Sequence, residues 1–270
     1  MKALLAALAS TAIALGVSTI GVRAATPVAS GPSDVTVVLV HGAFADSSSW
    51  DGVVGLLLRQ HIKVVAVAVP LRGLAIDTTS VTDLLKSLPG DVVLVGHSYG
   101  GQVINAAGSG NPHVKGLVYV DGLAPDTGES AADISDHFPG ATLGPALAPP
   151  VTLSDGGKDL YIKQDRLPDQ FAADVPPEKA QLTAVSQRPV TDAALHDKLQ
   201  QAPAWKTVPS WFIYGSLDKN ITPKAHDFMA KRAHAREAVA VAGGSHVVMI
   251  SHPDAVVKLI VDAINAIPKP

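Results

Sequence analysis

The chain has 270 residues, 47% hydrophobic and 17% charged, enough to bury one large α/β domain that carries an insertion. A formal net charge of −3 holds no basic excess, which excludes an electrostatic footprint for nucleic acid or for an anionic membrane surface. The absence of cysteine excludes a thiol nucleophile, a disulfide framework and thiolate metal sites.

At the N-terminus, Lys2 precedes a small-residue apolar stretch from position 3 to 22. Val22-Arg23-Ala24 before Ala25 then offers an A-x-A-like cleavage site. Residues 1–24 therefore read as a secretory signal peptide, which predicts a secreted or periplasmic protein without stable membrane association once the segment is removed. A retained anchor is the alternative, because the stretch is nearly long enough to span a bilayer, but it is rich in small residues and lacks flanking aromatic anchors. Residues 25–34, with Pro27, Gly31 and Pro32, read as a linker.

The near-continuous β-branched run 35–40 has the pattern of a parallel strand covered on both faces, and it ends in His41-Gly42-Ala43-Phe44. Asp46 to Ser49 supply N-cap candidates for a helix over 50–60. Strand 63–69 follows, closed by Pro70, and then a helix over 78–88 ended by Pro89-Gly90. A strand from 92 runs into Gly96-His97-Ser98-Tyr99-Gly100, which fits G-x-S-x-G, and a helix begins at 101. Strand, sharp turn and helix are the context that motif requires: the turn strains the serine backbone and leaves room for no bulky neighbours. Strand 114–120 leads into Asp121. This alternation predicts an α/β fold with a mostly parallel, doubly wound sheet and active residues at its carboxyl edge.

From 123 to 209 the strand pattern disappears and helical pieces are read over 158–165, 177–187 and 192–201. An unstructured loop of that length is improbable in a compact domain, so the segment is expected to be an inserted helical cap. The sheet resumes at 211–215 and ends in Ser216-Leu217-Asp218. A helix over 223–234, a strand over 237–242, the loop Gly243-Gly244-Ser245-His246 and a closing helix over 254–267 complete a core of residues 35–122 and 210–270.

A serine hydroxyl is a poor nucleophile until a base takes its proton, and the base needs an acid to fix its tautomer. Ser98, Asp218 and His246 occur in the chain order Ser, acid, His, each after a strand end. Asp121 is the rival acid and His252 the nearest rival base. His61, His113, His137, His196, His226 and His234 read as surface or cap residues, whereas His41 and His97 shape the loops beside the site. Attack on a carbonyl develops an oxyanion that needs preorganised donors. The Tyr99 amide is one, and the Ala43 amide, with Phe44 as the alternative, is the other. No histidine pair has metal-ligand spacing with carboxylate support, and no phosphate-binding glycine motif follows a strand, so neither metal nor cofactor is expected.

V-H-G-A-F-A-D-S-S-S-W, V-G-H-S-Y-G-G, Y-G-S-L-D and G-G-S-H together resemble the α/β-hydrolases of the small serine esterase group that includes plant methyl esterases and hydroxynitrile lyases. The resemblance runs from about residue 35 to the C-terminus. It implies the α/β-hydrolase fold, with Ser98 as nucleophile, Asp218 as acid, His246 as base and the Ala43 and Tyr99 amides as oxyanion hole. It also implies a small-molecule ester substrate. The usual N-terminal hairpin has no counterpart in the sequence, and the cap matches loosely. Phe138, Tyr161, Phe171 and Trp205 of the cap, with Phe44, Leu123 and Val247, are candidates for an apolar pocket wall. In the lyase branch a lysine follows the catalytic histidine and a threonine follows the first loop histidine; here those positions are Val247 and Gly42, which favours ester hydrolysis. The same sheet also hosts lactonases, C–C hydrolases and perhydrolases, and a triad-retaining ligand receptor is a reading of a different class.

Overall fold

Six parallel strands in the order β2-β1-β3-β4-β8-β9 form the centre of the protein. The computed structural model describes residues 35–268, and every structural statement concerns these. The strands are β1 (Thr36–Val40), β2 (Lys63–Val67), β3 (Val92–His97), β4 (Val114–Val120), β8 (Ser210–Gly215) and β9 (Glu237–Val241); β5 to β7 lie in the cap. All of β1, β3 and β8 is buried, as the aliphatic runs of β1 and β3 and the Trp-Phe-Ile-Tyr run of β8 demand of strands covered on both faces. The outer strands β2 and β9 are partly exposed.

Register brings the chemistry to one edge. Val40 pairs with Gly96, His97 with Val120, Val120 with Ile213, and Gly215 with Val241. The residues just beyond these strand ends therefore share the carboxyl edge of the sheet. The winding direction reverses between β1 and β3, and the crevice at such a switch point is where ligands bind in open α/β sheets. Helices Asp51–Arg59 and Pro253–Asn265 pack together against the sheet, as do Leu74–Ser87 and Tyr99–Ala107. Four of the described helices carry a proline in the first turn, Pro168, Pro177, Pro223 and Pro253, a place where a missing N–H costs nothing.

Residues 123–209 differ from the purely helical insertion expected. They hold the helices Ala131–His137, Leu143–Ala146, Leu167–Phe171, Pro177–Ser186 and Asp192–His196. They also hold an antiparallel sheet of β5 (Val151–Thr152), β6 (Lys158–Leu160) and β7 (Val190–Thr191). Strands of two or three residues are too short to show a period of two, so the piece read as a helix from 158 is a strand edge. The 1–24 leader and the 25–34 linker reading fall outside the described residues, among which no helix is long and apolar enough to cross a membrane.

Candidate active site

Ser98 sits between β3 and the helix Tyr99–Ala107 with φ 51° and ψ −124°, a left-handed conformation that L-residues hold only where the surroundings over-determine it. Here they do. The Ser98 N–H donates to the Val120 carbonyl at 3.2 Å, and its own carbonyl accepts from Gly101 and Leu123. A Cβ on Gly96 would meet the Gly100 carbonyl oxygen at 2.6 Å, and one on Gly100 would collide with the Val40 carbonyl oxygen. The motif glycines are therefore required by close backbone approach. The loop after β1 also comes close: a Cβ on Gly42 would lie 2.6 Å from Ser98 Cβ.

The His246 Nε2 lies 2.9 Å from Ser98 Oγ, and its Nδ1 lies 2.7 Å from Asp218 Oδ2. Since an ionised carboxylate can only accept, Nδ1 carries the proton and Nε2 is the acceptor for the serine hydroxyl. Asp218 Oδ1 accepts the amides of Asn220 at 2.8 Å and Ile221 at 3.1 Å. Burial pushes the Asp218 pKa up, but His246 and His226 outweigh burial and hold it well below the usual carboxylate range.

Asp121, the rival acid, faces elsewhere. Its Oδ1 accepts the Gly215 amide at 2.8 Å and its Oδ2 the Val248 amide at 3.0 Å, so it ties the end of β8 to the chain just after His246. Burial, and then the negative Asp218, push its pKa well above the ordinary value. The rival base His252 lies beside Asp174, with Nε2 3.2 Å from its Oδ2. Asp121, Asp218 and His226 bring potential ligand atoms within 4.8 Å of one another, yet Asp218 and His226 already answer each other and Asp121 is filled by two amides.

His226 corrects the reading that placed it on the surface or in the cap. It is fully buried, and its Nε2 lies 3.2 Å from Asp218 Oδ2, the oxygen that also serves His246. Its place on the inner face of the helix Pro223–Arg232, with Ala225, Met229 and Ala230, was the signal that could have revealed it. The two loop histidines do act as braces. His41 Nε2 accepts the Val69 amide and its Nδ1–H donates to the Gly42 carbonyl; burial lowers its pKa to about 4, so the ring is neutral. His97 Nε2–H donates to the His246 carbonyl at 2.9 Å, and burial, then the nearby His246, hold its pKa well below the ordinary value.

Neither the Ala43 nor the Tyr99 amide meets an acceptor among the described residues, Tyr99 because the first helical N–H has no intrahelical partner. Phe44, Phe171 and Val247 line a pocket of about 70 Å³ with Ile250, Ser48 and Lys179. The other four pocket candidates have different uses. Leu123 is bonded behind the nucleophile turn, Phe138 packs on His137 and Phe228, and the Trp205 indole donates to the Pro125 carbonyl with Lys206 and Arg232 over its ring. Tyr161 contributes its carbonyl to the Ala148 amide. Aromatic character alone did not separate wall from packing.

Phe171 is the cap residue that meets the triad. Its ring lies 4.9 Å from that of His246 and 6.3 Å from that of Phe44. Hydrogen bonds strap its segment to both loops below: Gln170 Nε2 donates to Asn220 Oδ1 and the Lys219 carbonyl, and Ser245 Oγ–H donates to Asp174 and the Phe171 carbonyl.

The chain and its fold are similar to those of several known proteins. The chain is 35% identical over 138 residues to Methylesterase 8 of Arabidopsis thaliana, a match covering 43% of this chain and half of that protein's length. The fold superposes on polyneuridine aldehyde esterase with a TM-score of 0.72 at 19% identity, covering 85% of this chain and 98% of that one. It also superposes on a pyrethroid hydrolase from Sphingobium faniae with a TM-score of 0.68 at 21% identity, covering 86% and 98%. Residues 37–259 match the family model described as the alpha/beta hydrolase family, and the chain belongs to that family.

Proposed function

We propose that this protein is a serine hydrolase of carboxylic esters, acting on a small-molecule substrate through an acyl-enzyme. The observation that carries the reading is the continuous relay from Ser98 Oγ through His246 to Asp218, at 2.9 and 2.7 Å. His246 Nε2 takes the Ser98 proton as Oγ attacks the ester carbonyl, the oxyanion turns toward the Ala43 and Tyr99 amides, and the imidazolium then protonates the departing alcohol. Water, deprotonated by the same nitrogen, cleaves the acyl-enzyme and regenerates the serine. Relatives and structural neighbours named as methylesterase, aldehyde esterase and pyrethroid hydrolase support ester chemistry.

The test is a panel of short-chain and aryl esters, amides and lactones assayed with wild type and Ser98→Ala. Wild type is expected to turn over esters within this panel, and the variant to lose on the order of 10³-fold or more in kcat. Full turnover by the variant sinks the serine mechanism. Mandelonitrile in the same panel is expected to release no aldehyde above buffer, because Val247 supplies no cation and a side chain at position 42 has no room beside Ser98. The apolar segment at 3–22 supports export as the setting for this activity. N-terminal sequencing of exported protein is expected to start near Ala25, and an intact Met1 there would contradict cleavage.

A further inference from the structure

Asp218 serves two imidazoles. Its Oδ2 receives His246 Nδ1 at 2.7 Å from one side and His226 Nε2 at 3.2 Å from the other, while Oδ1 holds two backbone amides. A base, an acid and a serine need only one histidine, and the triad leaves His226 unexplained.

Its placement is well determined. Pro223 opens the helix that carries it, and the His226 amide bonds back to the Thr222 carbonyl, so the first turn delivers the ring beneath the Asp218 loop. The ring stacks on Tyr214 at 4.8 Å with 13° between planes, and the Tyr214 hydroxyl donates to the neighbouring Asp227. That stack fixes the edge His226 presents to the carboxylate. The charged and titratable groups around the ring are Asp218, Asp121 and Tyr214, with His246 across the shared oxygen and Asp227 behind the tyrosine. Nε2 faces an acceptor, and Nδ1 is buried with no partner among the described residues. An orphan lone pair is cheaper than an orphan N–H, so the hydrogen-bond geometry places a proton on Nε2.

We propose that His226 is a positioning residue for the hydrolytic triad: by donating to Asp218 Oδ2 it holds the carboxylate in line with His246 and limits how strongly that carboxylate stabilises the His246 imidazolium. The physical reason is that a carboxylate oxygen shared between two N–H donors offers each a weaker negative potential than it offers one alone. A base restrained in this way stays in its proton-accepting form to lower pH. Without His226, Oδ2 has His246 alone, and the imidazolium gains stability. The role rests on the hydrolase reading, but the contact can be tested without turnover.

The experiment follows the His246 ring by NMR titration in wild type, His226→Gln and His226→Leu, alongside the pH dependence of kcat/KM for p-nitrophenyl acetate. Gln keeps an N–H donor near the Nε2 position; Leu fills the space and donates nothing. The His246 midpoint, and the acidic limb of the rate profile, are expected to move up by about one pH unit in the Leu variant, the size of a lost hydrogen bond to a charged group, and to return toward wild type with Gln. A long-range 1H–15N spectrum of wild type is expected to show His226 protonated at Nε2, a readout that survives even if the Leu variant does not fold. An unprotonated Nε2, or a folded Leu variant with an unmoved His246 midpoint, overturns the proposal. Absence of ester turnover with the NMR shift intact would overturn the hydrolase reading and leave the His226 contact standing.

Discussion

Two buried carboxylates, Asp121 and Asp218, follow strand ends on the same sheet edge, and their partners tell them apart. Asp218 meets His246 at 2.7 Å, while Asp121 accepts two backbone amides and touches no base of the triad. Substitution by Asn therefore acts differently at the two sites. In Asp218→Asn the amide nitrogen competes for a place that needs an acceptor for Nδ1–H, the tautomer of His246 is lost, and kcat is expected to fall by roughly 10³ to 10⁴-fold with the fold retained. In Asp121→Asn an NH₂ group faces a backbone N–H, one buried hydrogen bond is lost, and stability is expected to fall by about 1 to 3 kcal/mol with a smaller loss in kcat. Denaturation midpoints and steady-state rates on the two variants decide it. A larger kcat loss in Asp121→Asn at unchanged stability reverses the assignment of acid and anchor.

At the scale of elements, the sheet and its site-bearing edge were legible because both rest on local signals. Runs such as Val37 to Val40 and Val92 to Val95 can only be strands buried on both faces, and G-x-S-x-G names its own geometry. The cap was legible only in part: helices do begin at Pro177 and Asp192 as read, but the rest was not. Its strands are two or three residues long, and its contacts with the core are polar bonds between residues far apart in sequence, such as Gln170 to Asn220 and Asp174 to Ser245, which no spacing announces. His226 was missed for the same reason: a histidine on a helix face is classed by what faces it, and what faces it is Asp218 from another segment. The strapped segment also makes a prediction of its own. Phe171 is 2% exposed and lies against His246 and Phe44, so Phe171→Ala joins the small pocket to the space above the serine. Stability is expected to drop by about 3 kcal/mol or more, and the preferred acyl chain is expected to lengthen in a series of p-nitrophenyl esters. An unchanged chain-length profile would show that Phe171 does not bound the substrate.

The whole molecule carries its pH sensitivity in the braces around the site. His41 is buried with both nitrogens engaged in the neutral form, and its pKa is lowered from 6.5 to about 4; His97 is shifted in the same direction. A base whose folded pKa is depressed binds its proton first in the unfolded chain, so folding stability is full above about pH 6.5 and is lost as pH falls from there toward 4. For His41 alone the loss amounts to about 3 kcal/mol, a large share of the 5 to 15 kcal/mol typical of a folded domain. Asp218, with its pKa depressed, adds a loss that begins only below its ordinary value of 3.8. Asp121 and Asp77 run the opposite way: burial raises both, which favours folding at acid pH and withdraws that support as pH rises from 3.8, so they offset the histidines over the same range. Urea unfolding of wild type and His41→Gln at intervals between pH 7.5 and 4 is expected to show the variant, which does not titrate at that position, less stable at neutral pH, with the gap narrowing as pH falls below 6.5. A His41→Gln curve parallel to the wild-type curve would mean that the His41 imidazole is not held neutral by the fold.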